Sequence, residues 1–240
     1  MKYIIFNWKS YLNLKESENL SNIISKIKKS KNYKIISAPN NFFHLSLSKK
    51  FKANTFAAQN FDLDGRGAST GSLDISHLIE NNIKYTLIGH SEMRSNHGEN
   101  DKIIHKKLEL SIENKLIPIV CIGESLKVYK SKKTKNFLNN QIKTIFKKSH
   151  MYEDIILAYE PLWSIGTGLT PDLSEINEIC KFLSNILKKY SFKKINILYG
   201  GSVNLSNVSD ILNLQFVDGV LVGSASTNSS FINYFKSKNT

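Results

Sequence analysis

Cysteine is scarce in this chain of 240 residues, and long apolar runs are absent. Cys121 and Cys180 are too few for a disulfide framework and do not form the paired clusters of a structural zinc site. The apolar stretch at residues 3–6 is too short for the core of a secretion signal. No run of about 18 apolar residues is present that could cross a membrane. These absences favour a cytoplasmic protein with no membrane segment and no metal.

Arginine is scarce as well, because only Arg66 and Arg94 occur although the formal charge is +13. A surface for nucleic acid is expected to use arginine's planar fork on phosphates and base edges. The lysines that supply the charge are spread along the chain. Their densest stretch, residues 127–148, is typical of a solvated helix face. Since asparagine and isoleucine are also frequent, our hypothesis is that an AT-rich genome set much of this charge, and we predict no nucleic-acid partner.

Apolar residues, in contrast, make up 41% of the chain and occur in short runs. Several runs are apolar without alternation, as expected for parallel strands that are buried on both faces. The eight predicted strands are residues 3–6, 34–38, 55–58, 85–88, 117–122, 155–159, 195–199 and 219–222.

Segments with helical spacing lie between these strands, with isoleucine and leucine on one face and polar residues opposite. Either Asp172 or Ser174 is predicted to cap the last of them. Strand–helix alternation without a linker favours an α/β fold, a single-domain (β/α)₈ barrel over residues 1–240. An open, doubly wound sheet is the alternative, because alternation alone does not close a barrel. The clearest predicted helices are residues 14–30, 101–115 and 173–190.

Polar residues with complementary chemistry follow three of the predicted strands, where a parallel barrel carries its reactive groups. Asn7 and Lys9 follow the first strand, His90 the fourth and Glu160 the sixth. A shielded carboxylate can remove a proton next to a carbonyl, and an imidazole with an ammonium can stabilise the resulting enediolate. Each residue alone is ordinary, as a solvated lysine, a core histidine or one half of an ion pair. Their shared position at one rim favours a proton-transfer site.

Glycine-rich turns follow the last strands of the chain, at Gly200, Gly201 and Gly223. Such turns often serve only to reverse the chain, but their N–H groups can also bind a phosphate dianion. This arrangement requires neither metal nor cofactor. A catalytically weak barrel that binds a phosphate ligand or a partner is the alternative. A second alternative is an isomerase or epimerase of phosphorylated sugars that uses the same barrel for a different substrate.

Eight longer segments, in order from the first predicted strand to the last, contain these residues. They are Asn7-Trp-Lys9, Ala58-Gln-Asn60, Gly67-Ala-Ser-Thr-Gly71, Ile88-Gly-His-Ser-Glu-Met-Arg94, Cys121-Ile-Gly-Glu124, Ala158-Tyr-Glu-Pro-Leu-Trp-Ser-Ile-Gly-Thr-Gly168, Tyr199-Gly-Gly-Ser-Val203 and Asp218-Gly-Val-Leu-Val-Gly-Ser-Ala225. Together they resemble the triosephosphate isomerase family, and the sixth-strand segment is the most specific.

The resemblance implies an enzyme that interconverts dihydroxyacetone phosphate and D-glyceraldehyde 3-phosphate, in glycolysis and gluconeogenesis. Glu160 would be the base that moves the proton between two carbons. His90 would polarise the carbonyl, Lys9 would supply positive charge, and Asn7 would position the lysine and the substrate. No metal and no cofactor are implied.

Supporting roles also follow from the resemblance. Ser91 would hold the base in the open state, Glu92 would support the site, and Glu99 would pair with Lys9. Residues 161–168 would form a mobile lid. Trp163 would anchor its hinge. The implied phosphate ligands are Gly166, Ser202, Gly223 and Ser224, the last standing where a glycine is usual.

The resemblance further implies a homodimer, in which the loop from Gly67 to Gly71 docks into a partner subunit. Three positions depart from the family pattern in or near this contact. Ser69 and Ser72 stand where a larger residue and an acid are usual, and Met93 replaces an arginine. These departures weaken the expectation of a dimer without affecting the barrel.

Overall fold

A computed structural model of the chain describes residues 1–27, 32–165 and 169–237. Its strands are β1 (Lys2–Asn7), β2 (Tyr33–Ala38), β3 (Ala57–Ala58), β4 (Tyr85–Ile88), β5 (Ile117–Ile122), β6 (Met151–Tyr159), β7 (Ser191–Tyr199) and β8 (Gly219–Val222). Its helices are α1 (Leu14–Ser25), α2 (His44–Lys50), α3 (Ile75–Glu80), α4 (Ser91–His97), α5 (Asp101–Glu113), α6 (Leu126–Lys130), α7 (Thr134–Ile145), α8 (Leu173–Leu187), α9 (Val208–Asn213) and α10 (Ser229–Ser237).

The eight strands of the described residues form one parallel sheet that closes into a barrel. Their order is β2-β1-β8-β7-β6-β5-β4-β3, so the first strand pairs with the last. A bridge between Ser37 and Phe56 joins the two ends of this order. We call this contact the seam, because β3 is only two residues long there, shorter than the predicted 55–58. The barrel prediction is confirmed, and the open doubly wound sheet is wrong.

Both faces of the sheet are buried, which explains the unalternated apolar runs. Along β1, Tyr3 and Ile5 belong to the cluster that fills the barrel. Ile4 and Phe6 belong to the larger cluster between the sheet and the helices. The core is therefore two concentric layers, and the strands between them hold the residues at their carboxyl ends in fixed positions.

Strands β6 and β7 begin at Met151 and Ser191, four residues before the predicted starts. Polar residues interrupt the apolar pattern in both extensions. The extensions are stabilised by aromatic packing, because the Tyr152 ring stacks on Phe192 with centroids 5.2 Å apart. Phe146 contacts the Tyr152 ring edge-on.

The predicted helices are present but end earlier than expected, at Ser25, Glu113 and Leu187. Asp172 is the cap of α8, since its carboxylate accepts the N–H of Glu175 at 2.8 Å. Ser174 donates its hydroxyl to Asp172 instead. Within residues 1–27, 32–165 and 169–237, no helix has the length and apolarity needed to cross a membrane.

Candidate active site

The carboxyl ends of β1, β4, β6, β7 and β8 open into one pocket of about 500 Å³. The pocket contains all four predicted catalytic residues and three of the four predicted phosphate ligands. Gly166, the fourth, lies outside the described residues. A pocket of about 580 Å³ beside α2 contains none of them, so size alone does not identify the site. The predicted residues that line the first pocket are Asn7, Lys9, His90, Glu160, Ser202, Gly223 and Ser224.

His90 is the residue that caps α4, and it is 6% exposed. Its Nδ1 accepts the backbone N–H of Glu92 at 3.3 Å. A ring nitrogen that accepts a hydrogen bond carries no proton, so the neutral ring has its proton on Nε2. That Nε2 lies 3.3 Å from Oε1 of Glu160. The local fold thus aims one N–H donor into the pocket.

Glu160 directly follows β6 and is 3% exposed. Its backbone N–H donates to the carbonyl of Ile122 at 2.7 Å, which fixes it against the end of β5. Gly123 makes this approach possible, because a Cβ there would lie 1.7 Å from the Glu160 carbonyl oxygen. Burial, followed by the neighbouring Glu160 carboxylate, raises the pKa of the Cys121 thiol. Cys121 is therefore a neutral neighbour of the site.

Lys9 adopts a left-handed backbone conformation with φ of 48°, which is uncommon for a residue with a side chain. Its N–H donates to Oδ1 of Asn7 at 3.1 Å, and its carbonyl accepts the amide of Gln59 at 2.9 Å. The same Gln59 amide donates to the carbonyl of Ala38. The turn that presents Lys9 is therefore held from β1, β2 and the end of β3.

The ammonium of Lys9 pairs with Glu92 at 2.6 Å. The predicted pair between Lys9 and Glu99 is wrong, because Glu99 is buried against Lys107. Glu99 stands just before α5 and Lys107 lies two turns into that helix, so the helix brings the two together. Lys107 also donates to Oδ1 of Asn60 at 2.9 Å. Through Lys107, Glu99 therefore helps to connect the start of α5 to the loop that follows β3.

Ser202 stands in the turn after β7, and both of its donors are occupied by Ser164. Its backbone N–H donates to the hydroxyl of Ser164 at 3.1 Å, and its own hydroxyl donates to the carbonyl of Ser164. Ser224 begins a 3-10 turn after β8 and is exposed. Ser226 ties that turn to β8 by donating its hydroxyl to the carbonyl of Gly223. The phosphate side of the pocket is thus built from two short, braced turns.

Trp163 lies in the 3-10 turn Leu162–Ser164 and contacts two elements. Its indole N–H donates to Glu124 at 2.9 Å, and its ring stacks on Tyr129 with centroids 4.1 Å apart. Glu124 is fully buried, and burial raises the pKa of its carboxyl. Tyr129 donates its hydroxyl to Glu175 at the start of α8. The start of the segment predicted as a lid is therefore fastened to α6 and α8.

The predicted contact between Ser91 and the base is not present among residues 1–27, 32–165 and 169–237. The Glu160 carboxylate faces His90 instead, and Ser91 is the first residue of α4. Arg94, to which the sequence analysis assigned no role, donates to the carbonyls of Gly89 and Cys121. It holds the ends of β4 and β5 together. The only sequence signal for Arg94 and Gln59 was their place within the matching segments.

The chain is similar to known proteins over nearly its whole length. A family model described as "Triosephosphate isomerase" matches residues 2–238. A relative of that name from Mycoplasma mobile is 37% identical, over 98% of this chain and 99% of its own. One from Mycoplasma capricolum subsp. capricolum is 40% identical over 94% and 93%. One from Buchnera aphidicola subsp. Schizaphis graminum is 39% identical over 94% and 92%.

Proposed function

The chain belongs to the triosephosphate isomerase family, and on that premise we propose that the pocket at the carboxyl ends of the strands is its active site. The enzyme interconverts dihydroxyacetone phosphate and D-glyceraldehyde 3-phosphate by carboxylate-mediated proton transfer through an enediolate. The observation that carries the proposed site is the 3.3 Å approach of His90 Nε2 to Glu160 Oε1. It brings a base and an N–H donor to one place.

Glu160 is the proposed base. It takes a proton from the carbon next to the carbonyl and returns it to the neighbouring carbon. Its carboxylate is almost fully buried and its backbone is fixed against β5, so little reorganisation is needed before the proton moves.

His90 is the proposed electrophile. Its Nε2–H donates to the carbonyl oxygen, and the ring then moves a proton from one enediolate oxygen to the other, so that the carbonyl re-forms on the neighbouring carbon. Because the Glu92 N–H occupies Nδ1, the ring cannot turn its proton away from the substrate without losing that hydrogen bond. Donors held in advance stabilise such an oxyanion more than mobile water does.

Lys9 supplies positive charge to the same oxygens, and Asn7 fixes its backbone. The ammonium of Lys9 pairs with Glu92, and the side chains are 15% and 48% exposed, respectively. Because the Glu92 carboxylate faces solvent, water screens this pair, and screened ion pairs contribute only about 1 kcal/mol. Substrate oxygens can therefore replace Glu92 as partners of the ammonium with little loss of free energy.

The phosphate is bound by N–H groups of the turns after β7 and β8, from Ser202, Gly223 and Ser224. Gly166, outside the described residues, is proposed to add another N–H from residues 161–168. Glycine-rich turns supply such donors to anions without a compensating cation. Water must be excluded from the pocket while the enediolate is present, because an enediolate in water can expel its phosphate.

We also propose a cytoplasmic homodimer with no nucleic-acid or membrane partner. The loop from Gly67 to Gly71 is exposed apart from Ser69, which is half-buried. The hydroxyls of Ser69 and Ser72 bond each other and Asp64, so the loop is braced internally despite its small side chains. The 89% exposed ring of Phe42 follows β2, and β2 neighbours β3 across the seam at the same end of the barrel. A second copy of the chain would cover both.

The test is a coupled isomerase assay on the purified protein, with NADH oxidation reporting dihydroxyacetone phosphate formed from D-glyceraldehyde 3-phosphate. Turnover far above background is expected for the wild type, and loss of it for Glu160→Gln. Equal rates for both proteins would contradict the proposed base. Phosphate binding with background turnover by the wild type would instead support the catalytically weak barrel.

A further inference from the structure

The hydroxyl of Ser164 is buried and makes three hydrogen bonds. It donates to the carbonyl of Leu169 at 2.6 Å and accepts the N–H of Ser202 at 3.1 Å. The hydroxyl of Tyr199 lies 3.3 Å away. Because a serine hydroxyl has one hydrogen, already given to Leu169, Tyr199 must be the donor in that third bond. We call this group of four residues the Ser164 junction, and its central hydroxyl is fully used.

The junction occupies a donor that the phosphate site needs. A backbone N–H has one hydrogen, and that of Ser202 points to Ser164 rather than into the pocket. The hydroxyl of Ser202 is also engaged, with the carbonyl of Ser164. Neither donor of Ser202 can reach a phosphate without breaking a bond to Ser164.

Close packing shows that this contact is built into the fold. A Cβ on Gly201 would lie 2.2 Å from the hydroxyl oxygen of Tyr199 and 2.9 Å from that of Ser164. Only glycine lets the turn after β7 approach the junction so closely. The contact between Ser202 and Ser164 is thus a consequence of backbone packing and does not depend on a flexible surface side chain.

We propose that Ser164 is a positioning residue whose hydroxyl competes with the substrate's phosphate for the N–H of Ser202. This inference rests on the proposed function of the pocket. Binding of the phosphate exchanges one acceptor of that N–H for another, and the junction loses one of its bonds. Because the same hydroxyl holds Leu169, phosphate binding is coupled to the chain on both sides of residues 166–168.

The experiment compares the wild type with Ser164→Ala, using inorganic phosphate as the probe in calorimetric titrations. The variant retains the backbone carbonyl that holds the Ser202 hydroxyl, but it frees the Ser202 N–H. Phosphate is expected to bind roughly three- to tenfold more tightly, since an ordinary internal hydrogen bond no longer has to be broken. KM for D-glyceraldehyde 3-phosphate should fall without a rise in kcat.

Two further variants separate this effect from a general loss of structure. Ser111→Ala removes another buried serine hydroxyl, which bonds the carbonyl of Lys107 on α5, and should leave phosphate affinity unchanged. Ser164→Cys keeps the shape of the side chain, although it is slightly larger, but offers a weak acceptor, and should fall between the wild type and Ser164→Ala. Circular dichroism verifies the fold of each variant.

A readout without phosphate completes the test. Proton exchange at C2 of unphosphorylated glyceraldehyde, followed by NMR in deuterated water, should be the same in the wild type and Ser164→Ala. Unchanged or weaker phosphate binding by an active Ser164→Ala enzyme would overturn the inference alone, the weaker result meaning that Ser164 preorganises Ser202. A wild type that neither isomerises nor binds phosphate would overturn the proposed function and this inference with it.

Discussion

At the scale of single residues, the chemistry depends on side chains that are held by uncharged neighbours. Lys9 keeps a left-handed backbone because Asn7 bonds its N–H and Gln59 bonds its carbonyl. The Glu160 carboxylate faces His90 because Gly123 allows the two strand ends to meet. Small errors in such positions cost more catalysis than stability, and two substitutions test this.

Replacing Gln59 with leucine should displace Lys9 while preserving the barrel. The variant loses two hydrogen bonds to backbone carbonyls, so the free energy of unfolding should fall by about 1–3 kcal/mol. The kcat/KM should fall by roughly ten- to a hundredfold, because the ammonium no longer faces the enediolate. Urea unfolding and steady-state kinetics measure the two effects. The exposed Gln215→Leu is the control, and unchanged kinetics in Gln59→Leu would show that Lys9 does not depend on this amide.

Shortening the base by one methylene in Glu160→Asp should reduce kcat by orders of magnitude while KM changes little. The carboxylate then retreats from the substrate carbon, and proton transfer is sensitive to that distance. The proposed phosphate contacts are unaltered, so substrate binding should change little. Glu113→Asp, at the exposed end of α5, is the matched control. A loss of activity of similar size in both variants would refute the assignment of Glu160 as the base.

At the scale of elements, the seam is the least extensive strand contact of the described barrel, with one bridge where the other neighbouring strands share two or more residue pairs. There β3 has two residues, and within the described part of the chain it is linked to β2 by the bridge between Ser37 and Phe56, the residue just before β3. The first residue of α2, His44, supports β3 from outside, because its Nε2 lies 2.9 Å from the carbonyl of Ala57. Burial lowers the pKa of His44 from 6.5 to about 4.

The pKa of His44 makes the stability of the seam depend on pH. Between pH 6.5 and about 4 the unfolded chain binds a proton on this residue and the folded chain does not. The free energy of unfolding should therefore fall as the pH falls through this window, by about 3 kcal/mol in all. Urea unfolding at several pH values should show a smaller fall for His44→Gln than for the wild type. The exposed His77→Gln is expected to behave like the wild type, and an equal fall in all three proteins would contradict this account.

The elements that were predictable from sequence are those whose surroundings are uniform. Strands β4, β5 and β8 match their predicted bounds, because both of their faces are buried along nearly their whole length. The starts of β6 and β7 were missed, because aromatic packing between Tyr152 and Phe192 stabilises stretches with polar residues. The shortness of β3 depends on the closure of the barrel, which no local pattern records.

The proposed site could be inferred where a charged or titratable residue lies within two positions of a strand end, as His90 and Glu160 do. It was not predictable where an uncharged group acts through a distant partner, as Gln59 and Ser164 do. The Lys9–Glu99 pair failed for a related reason. The packing of α5 determines which lysine lies next to Glu99, and the sequence alone does not specify that lysine.

At the scale of the whole molecule, the proposed homodimer follows from what the single chain leaves exposed. Phe42, which follows β2, is 89% exposed. The braced loop from Gly67 to Gly71 follows β3, and β3 meets β2 at the seam, so both lie at the same end of the barrel. A ring that large in water favours association, because its burial contributes roughly 1.5–3 kcal/mol.

Light scattering at micromolar concentration should therefore give the mass of a dimer for the wild type. Phe42→Ser should weaken the dimer by roughly a hundred- to ten-thousandfold, as expected for loss of about 3–6 kcal/mol of burial over the two copies of the contact. Met151→Ser removes an apolar side chain that is 66% exposed at the amino end of β6, and should leave the dimer intact. A monomeric wild type would mean that Ser69, Ser72 and Met93 have abolished the interface.

The pairing of β1 with β8 has a consequence for the time at which this molecule becomes active. Tyr3 and Phe6 lie beside Gly219 and Val222, more than two hundred positions along the chain. A ribosome adds about 5–20 residues each second, so the first strand waits on the order of ten seconds or longer for its last neighbour. During that time the edge of β1 that will pair with β8 has no partner. Asn7 and Lys9 also lack the part of the pocket that the end of β8 provides. A nascent chain is thus both inactive and prone to aggregation until its final strand is made.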